Sequence, residues 1–357
     1  MKSFLPLVLT FIILASAIPS SVAQAQNLII FVSDNEADLT IAAKVSELLN
    51  AELVVTPWGI YDPNLSAKII DMDPSLVIII GGPVAVVDRY SEDFQSFGVS
   101  YTRLYGENRV ETAMKVIEFI KKDYPDILRG AKFFAVYGWD LGGILRLREI
   151  MKEDKSVIPV FVGPNTTNLP VTISGVIVTS NSEKIMGRFK VGNVRVIQAK
   201  ITRDVALKAI EYAQMAIENA KEVSGDQELL NSAMTLFDLA KKAFSEGDYE
   251  KAYALAFASL AKAQKTIVLG NVGKDSTLVM KLKSQLRLMW ALVFRLEVKG
   301  QDVSQATYYL KLAEKALEEG KIDEAIIYLE KAKDSLKERV KGRMKWEPVR
   351  GRGRGRP

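Results

Sequence analysis

The sequence predicts an α/β plus all-α protein: two tandem doubly wound parallel-sheet repeats, then a helical-hairpin bundle. Three observations predict it. Short apolar runs without charge, such as Leu76 to Ile80, alternate with helix-like segments up to about residue 213, and such runs suit parallel strands buried on both faces. The string ETAMKVIEF, which starts at Glu111, returns 93 residues later as DVALKAIEY, which starts at Asp204. From about Thr202 onward Ala, Leu, Lys and Glu dominate and strand signals vanish.

Residues 1–26 read as a secretory signal. Lys2 supplies the positive start, residues 4–18 the apolar core with Pro6 inside it, and Ala23-Gln24-Ala25 the small-x-small cleavage pattern. The core is shorter than the roughly 20 residues of a spanning helix, so cleavage near Ala25 and export are expected, with a retained anchor as the alternative. Residues 27–122 form the first repeat. Residues 28–32, 53–56, 76–80 and 100–105 read as strands, and 37–49, 66–72 and 84–94 as helices. The turn Gly106-Glu107-Asn108-Arg109 opens a last helix. Strands alternating with helices imply a parallel sheet covered on both faces. Residues 123–213 form a degenerate second repeat, with strands at 133–137, 158–162 and 176–179 and a helix at 141–151. Ser180-Asn181 and Lys200-Ile201-Thr202 stand where the first copy has its glycine turns. The last helix of this copy also begins the helical region.

Residues 214–341 read as an alanine-rich bundle of two hairpin units. Ala240, Gly247 and Ala252 recur as Ala313, Gly320 and Ala325, 73 residues on. Gly247 and Gly320 suit helix ends that need a left-handed residue. Asp248 and Asp323 stand where a carboxylate caps the next helix. Longer helices, at 203–223 and 276–298, precede the two hairpins, with a link at 270–273. The hairpins loosely resemble tetratricopeptide-type repeats, although most aromatic and proline positions of that motif are missing.

Composition narrows the chemistry. The chain has no Cys and no His. This removes disulfides, thiol and imidazole catalysis and the usual zinc sites, and leaves open only a metal held by carboxylates and carbonyls. No catalytic residue, metal or cofactor is expected. The net charge of +5 comes from the end of the chain, where residues 339–357 hold eight Lys and Arg against Glu347 alone. Residues 342–357, with their Arg-Gly run, read as a disordered tail. Basic charge confined to a tail gives no reason to expect a nucleic-acid partner for the folded part.

One stretch resembles a known family. After the strand ending at Ile80 come Gly81, Gly82, Ala85 and Val86, then Arg103, Gly106, Asn108, Arg109, Glu111, Thr112 and Ala113. In order and spacing these resemble the cell wall-binding repeat 2 family of surface-layer and envelope proteins. Two departures stand out: Val110 where that family has an aromatic, and two copies where it tends to have three. The resemblance implies a non-enzymatic envelope protein that attaches to an anionic wall or surface-layer polymer. It also implies Gly81, Gly82, Arg103, Gly106, Asn108, Arg109, Glu111 and Thr112 as ligand-binding residues. Read from chemistry alone, the glycines permit tight turns, and Arg109 and Glu111 can serve only to hold the loop. A closed arrangement built from two copies would need a second chain, and the helical region would face another protein.

Asn64 and Asn165 head two sequons placed in loops, which makes both glycosylation candidates in an exported chain. The alternative is an exported solute-binding protein or hydrolase that uses loops at the strand carboxyl ends, where ligands of doubly wound sheets sit. Those loops carry Asp34, Glu36, Asp38 and Asp140. No G-x-G-x-x-G, P-loop or G-x-S-x-G string accompanies them.

Overall fold

Every residue of strand β1 (Leu28–Ser33) is buried, and its side chains divide between two cores. The computed structural model describes residues 27–189, 193–223, 225–272 and 278–341. The expected signal at 1–26 and the expected disordered tail at 342–357 lie outside the described residues. With β2 (Glu52–Thr56), β3 (Leu76–Ile80) and β4 (Tyr101–Leu104), β1 forms a parallel sheet of order β2-β1-β3-β4. Successive strand residues point to opposite faces. Ile30, Val32, Ile78 and Ile80 therefore meet helices α1 (Glu36–Leu49) and α4 (Arg109–Asp123). Ile29, Phe31, Val77 and Ile79 meet α2 (Pro63–Asp71) and α3 (Arg89–Phe97) on the other side. Each such aliphatic side chain stabilises the fold by about 1.5–3 kcal/mol relative to exposure.

The second repeat has the same strand order, β6-β5-β7-β8, from β5 (Lys132–Tyr137), β6 (Val157–Val162), β7 (Ile173–Val178) and β8 (Arg195–Gln198). Helix α5 (Leu141–Glu153) stands where α1 does in the first copy, and α7 (Arg203–Val223) where α4 does. The copy is shortened between strands. Residues 163–172 contain no helix, and α6 (Glu183–Met186) is one turn long.

Two local expectations are corrected. The helix expected over 84–94 starts only at Arg89. Residues 84–88 form turns because Arg103 Nη1 takes the Val86 carbonyl at 2.7 Å, where a continuing helix would bond the Tyr90 amide. Tyr90 N instead reaches Val87 O at 3.2 Å. Asn64 lies in the first turn of α2, not in a loop, because Asp62 caps that helix and Pro63 pre-sets its first residue. Asn165 is in a loop, and both asparagines are exposed.

The helical region comprises α7 and then α8 (Gln227–Ser245), α9 (Tyr249–Val272), α10 (Leu278–Val298), α11 (Ser304–Glu318) and α12 (Ile322–Lys341). Gly247 and Gly320 close α8 and α11 with φ of 82° and 73°. The chain folds back on itself. Layer α1/α4 is sandwiched between the two sheets in one continuous core. Helix α7 packs Ala206, Ala209 and Ile210 with Leu141 of α5. Near its end, α9 meets Trp58 and Ile60 of the first repeat through Ile267. Asn271 Nδ2 also donates to Gly59 O at 2.8 Å. Helix α10 lies along α2, so α10–α12 share the outer core of the first sheet. Much of the apolar surface of the helices thus covers the chain's own repeats. No described helix is long and apolar enough to cross a membrane.

Candidate functional site

The residues that carry the resemblance sit at the carboxyl end of the first sheet, and most of them build turns. Gly81 has φ of 124°, a conformation that L side chains rarely adopt. Its carbonyl accepts from Arg103 Nη1 at 3.0 Å. Arg103 Nη2 donates to Ser91 Oγ at 2.8 Å and pairs with Asp88 at 3.4 Å. Burial lowers the guanidinium from its ordinary pKa. A Cβ on Gly82 would touch the Tyr105 ring. Gly106 N donates to Thr112 Oγ1 at 3.1 Å, and its missing side chain leaves room for Glu111. Asn108 caps α4 through Oδ1, which accepts from Val110 N and Glu111 N. Glu111 Oε2 accepts from Glu107 N at 2.9 Å, and Thr112 is buried.

Arg109 differs from its neighbours. It leaves the turn and crosses to the second repeat, where Nη1 donates to Gly138 O at 3.2 Å and Cζ lies 5.5 Å from the Trp139 ring centroid. Asp38 lies behind it. Burial pushes the Asp38 carboxyl up to about 6, and the Arg109 charge partly offsets this. Asp38 Oδ1 has no hydrogen-bond partner among the described residues.

Around Arg109 a cavity of about 220 Å³ opens where the carboxyl ends of both sheets meet α7 and α9. Asp34, Asn35 and Glu36 form its acidic side, Arg109, Asn219 and Gln264 add further polar groups, and Trp58, Trp139, Tyr212 and Phe257 supply its aromatic walls. Asp34 Oδ1 accepts from Trp58 N at 2.9 Å. Glu36 Oε2 pairs with Arg148 of the second repeat at 2.5 Å, while Oε1 has no hydrogen-bond partner among the described residues. Burial raises both carboxyls above their ordinary values. Asp140 is not part of this wall. It caps α5 through Gly143 N and accepts from Thr179 Oγ1 at 2.5 Å. A second hollow, about 270 Å³, lies along Asn108, Glu111, Met114 and Trp139, facing residues 163–168 of the second repeat. Trp139 borders both spaces.

Sequence reasoning placed acids at the strand ends but missed the aromatics. Trp58 and Trp139 each stand two residues beyond a strand, Trp58 after the second strand of its repeat and Trp139 after the first. Their nearness to strand ends was available as a signal. Tyr212 and Phe257 come from helices whose docking no local pattern reveals.

No family model matches the chain. An uncharacterized protein of Methanocaldococcus jannaschii is 40% identical over 115 residues, which is 32% of this chain and 33% of that protein. The match thus spans about a third of that relative's length. Among solved structures, Cwp6 from Clostridium difficile aligns with a TM-score of 0.38 and 15% identity, over 68% of this chain and 37% of that one. Cwp8 from the same organism aligns with a TM-score of 0.30 and 17% identity, over 49% of this chain and 27% of that one. Both are cell wall proteins of that bacterium.

Proposed function

We propose that the chain is an exported, non-enzymatic protein of the cell envelope that holds a wall or surface-layer polymer through its α/β repeats. One observation carries this reading. The Asn108–Glu111 turn, the part of the sequence that resembles a wall-binding repeat, borders an open hollow whose far side is the 163–168 loop of the second repeat. A polymer strand lying there would touch both copies at once, and the packing of α4 between the sheets fixes the two loops relative to each other. The exposed pair Phe294 and Val298, one turn apart on α10, offers a separate apolar contact for another protein.

Retention of the full chain on purified envelope polymer tests this. Thr167→Trp, which fills the hollow from an exposed loop position, should release most of the bound protein without changing the melting temperature. Recovery of the wild-type chain in the unbound fraction, alongside an unrelated control protein, would refute the reading.

A further inference from the structure

The cavity around Arg109 is a separate site, and its lining specifies a ligand class. We propose that it binds a small organic cation, a compact body bearing one ammonium group, with the charge held by Asp34 and Glu36 and the body by Trp58, Trp139, Tyr212 and Phe257.

The charge count points to a cation. Asp34, Glu36 and Asp38 face two guanidinium groups, Arg109 and Arg148. With all five ionised, one negative charge is left over. The next cation, Lys208, is half-buried and lies 5.3 Å from the Tyr212 ring centroid, but Glu211 at 2.8 Å balances its charge. Glu36 is 8% exposed, and its Oε1 is without a hydrogen-bond partner among the described residues. A buried carboxylate oxygen normally has one, and leaving it bare is costly. Oε1 itself lies beneath the cavity surface, so a bound ammonium group acts on it through charge and not through a hydrogen bond, and relieves the upward pressure on both carboxyls.

The walls point to an organic cation over a bare metal ion. Four aromatic rings line the space, and aromatic faces attract ammonium groups. Two of these rings already hold a cation in this way, Trp139 the Arg109 guanidinium and Tyr212 the Lys208 ammonium, which leaves Trp58 and Phe257 free to take the ligand. No group of three or more acidic side chains suited to a metal ion occurs among the described residues. The volume of about 220 Å³ exceeds the roughly 150 Å³ that accommodates benzene, so a ligand of choline size fits. Met215 on α7 and Ala261 on α9 line the cavity and are exposed, which puts its mouth between these helices. The position, beyond the carboxyl ends of parallel strands, is where such sheets bind ligands. This inference neither requires nor tests polymer binding.

Titration calorimetry on the full chain decides it, with choline and cyclohexylamine as probes. 3,3-Dimethylbutan-1-ol serves as the uncharged twin of choline, and calcium chloride as the metal control. At least one ammonium probe should bind, and the uncharged twin at least about tenfold more weakly than choline if choline is the binder. Asp34→Asn, which keeps the oxygen that accepts from Trp58 N, should weaken binding about tenfold or more. Ala261→Trp should abolish binding by filling the mouth, with an unchanged melting temperature. It decides the matter if Asp34→Asn fails to fold. No heat from either ammonium probe up to about 10 mM, equal binding of the uncharged twin, calcium binding in their place, or full affinity in Ala261→Trp would each overturn the proposal.

Discussion

The turns after the third strand of each sheet occupy equivalent places and are fastened by different means. In the first repeat the turn is held from within. Arg103, on the neighbouring strand, donates to the Gly81 and Val86 carbonyls and to Ser91. In the second repeat the glycines are gone. Thr179 N bonds Ser182 Oγ at 3.0 Å and Thr179 Oγ1 bonds Asp140. Asp140 is in turn approached by Tyr253 of α9, whose hydroxyl also accepts from Gly142 N at 3.3 Å. The second turn thus leans on the helical region. Strand order survives the loss of the glycines because it depends on apolar alternation and crossover handedness. The polar groups of the turn still need partners, and Ser182 and Asp140 supply them, with Tyr253 of the helical region behind Asp140.

The comparison can be broken at four points. Arg103→Ala should have the largest effect, about 4 kcal/mol, because it strips two buried carbonyls and Ser91 of a charged donor. Denaturant unfolding reads this, and a loss below about 1 kcal/mol would mean the first turn is not held from within. Gly106→Ala should cost roughly 3 kcal/mol, because the new Cβ would stand 2.2 Å from Glu111 Cβ. Lys200→Ala, in the matching loop of the second copy, should be nearly neutral in the same assay.

The third point is pH. Asp38 is pushed up from 3.8 to about 6, so between those values the folded protein holds a proton that the unfolded chain has lost. Stability from this group is therefore highest below about pH 4, falls as pH rises through about 6, and is level above, by at most roughly 3 kcal/mol. Asp38→Asn should flatten this part of the stability–pH curve. Asp34, Glu36 and Asp93 are raised in the same direction, so a smaller slope should remain. A wild-type curve that climbs from about pH 4 to 6 contradicts the assignment. The smallest effect belongs to Tyr253→Phe, about 1 kcal/mol. Hydrogen exchange should show it as faster opening around residues 140–143 and 179–182, with the first repeat unchanged. Equal opening of both repeats would erase the distinction drawn between them.

Much of the fold was legible because its signals are local. Uncharged runs marked the buried strands, the ETAMKVIEF echo marked the duplication, and the glycines at 247 and 320 marked the hairpins. The site was legible only in part. Asn108 and Glu111 fell at a helix start as expected, and Asp34 and Glu36 at a strand end. Which of these acids would share a space with Arg109 depended on α1 and α4 being packed against the other sheet, and no residue near them encodes that. Arg103 shows the limit from the other side. Its three internal hydrogen bonds link residues 12 to 22 positions apart, which a turn motif does not disclose.

By itself the sequence determined the element types, the repeat, the absence of thiol and imidazole chemistry, and the carboxylates at the strand ends. Those features follow from side-chain periodicity, turn chemistry and composition, which act over a few residues. Only the tertiary structure decided that the helices close back onto both repeats, that Trp139 stands between two hollows, and that one Glu36 oxygen has no hydrogen-bond partner among the described residues. Such outcomes depend on which surfaces meet, and that is settled by burial across the whole chain.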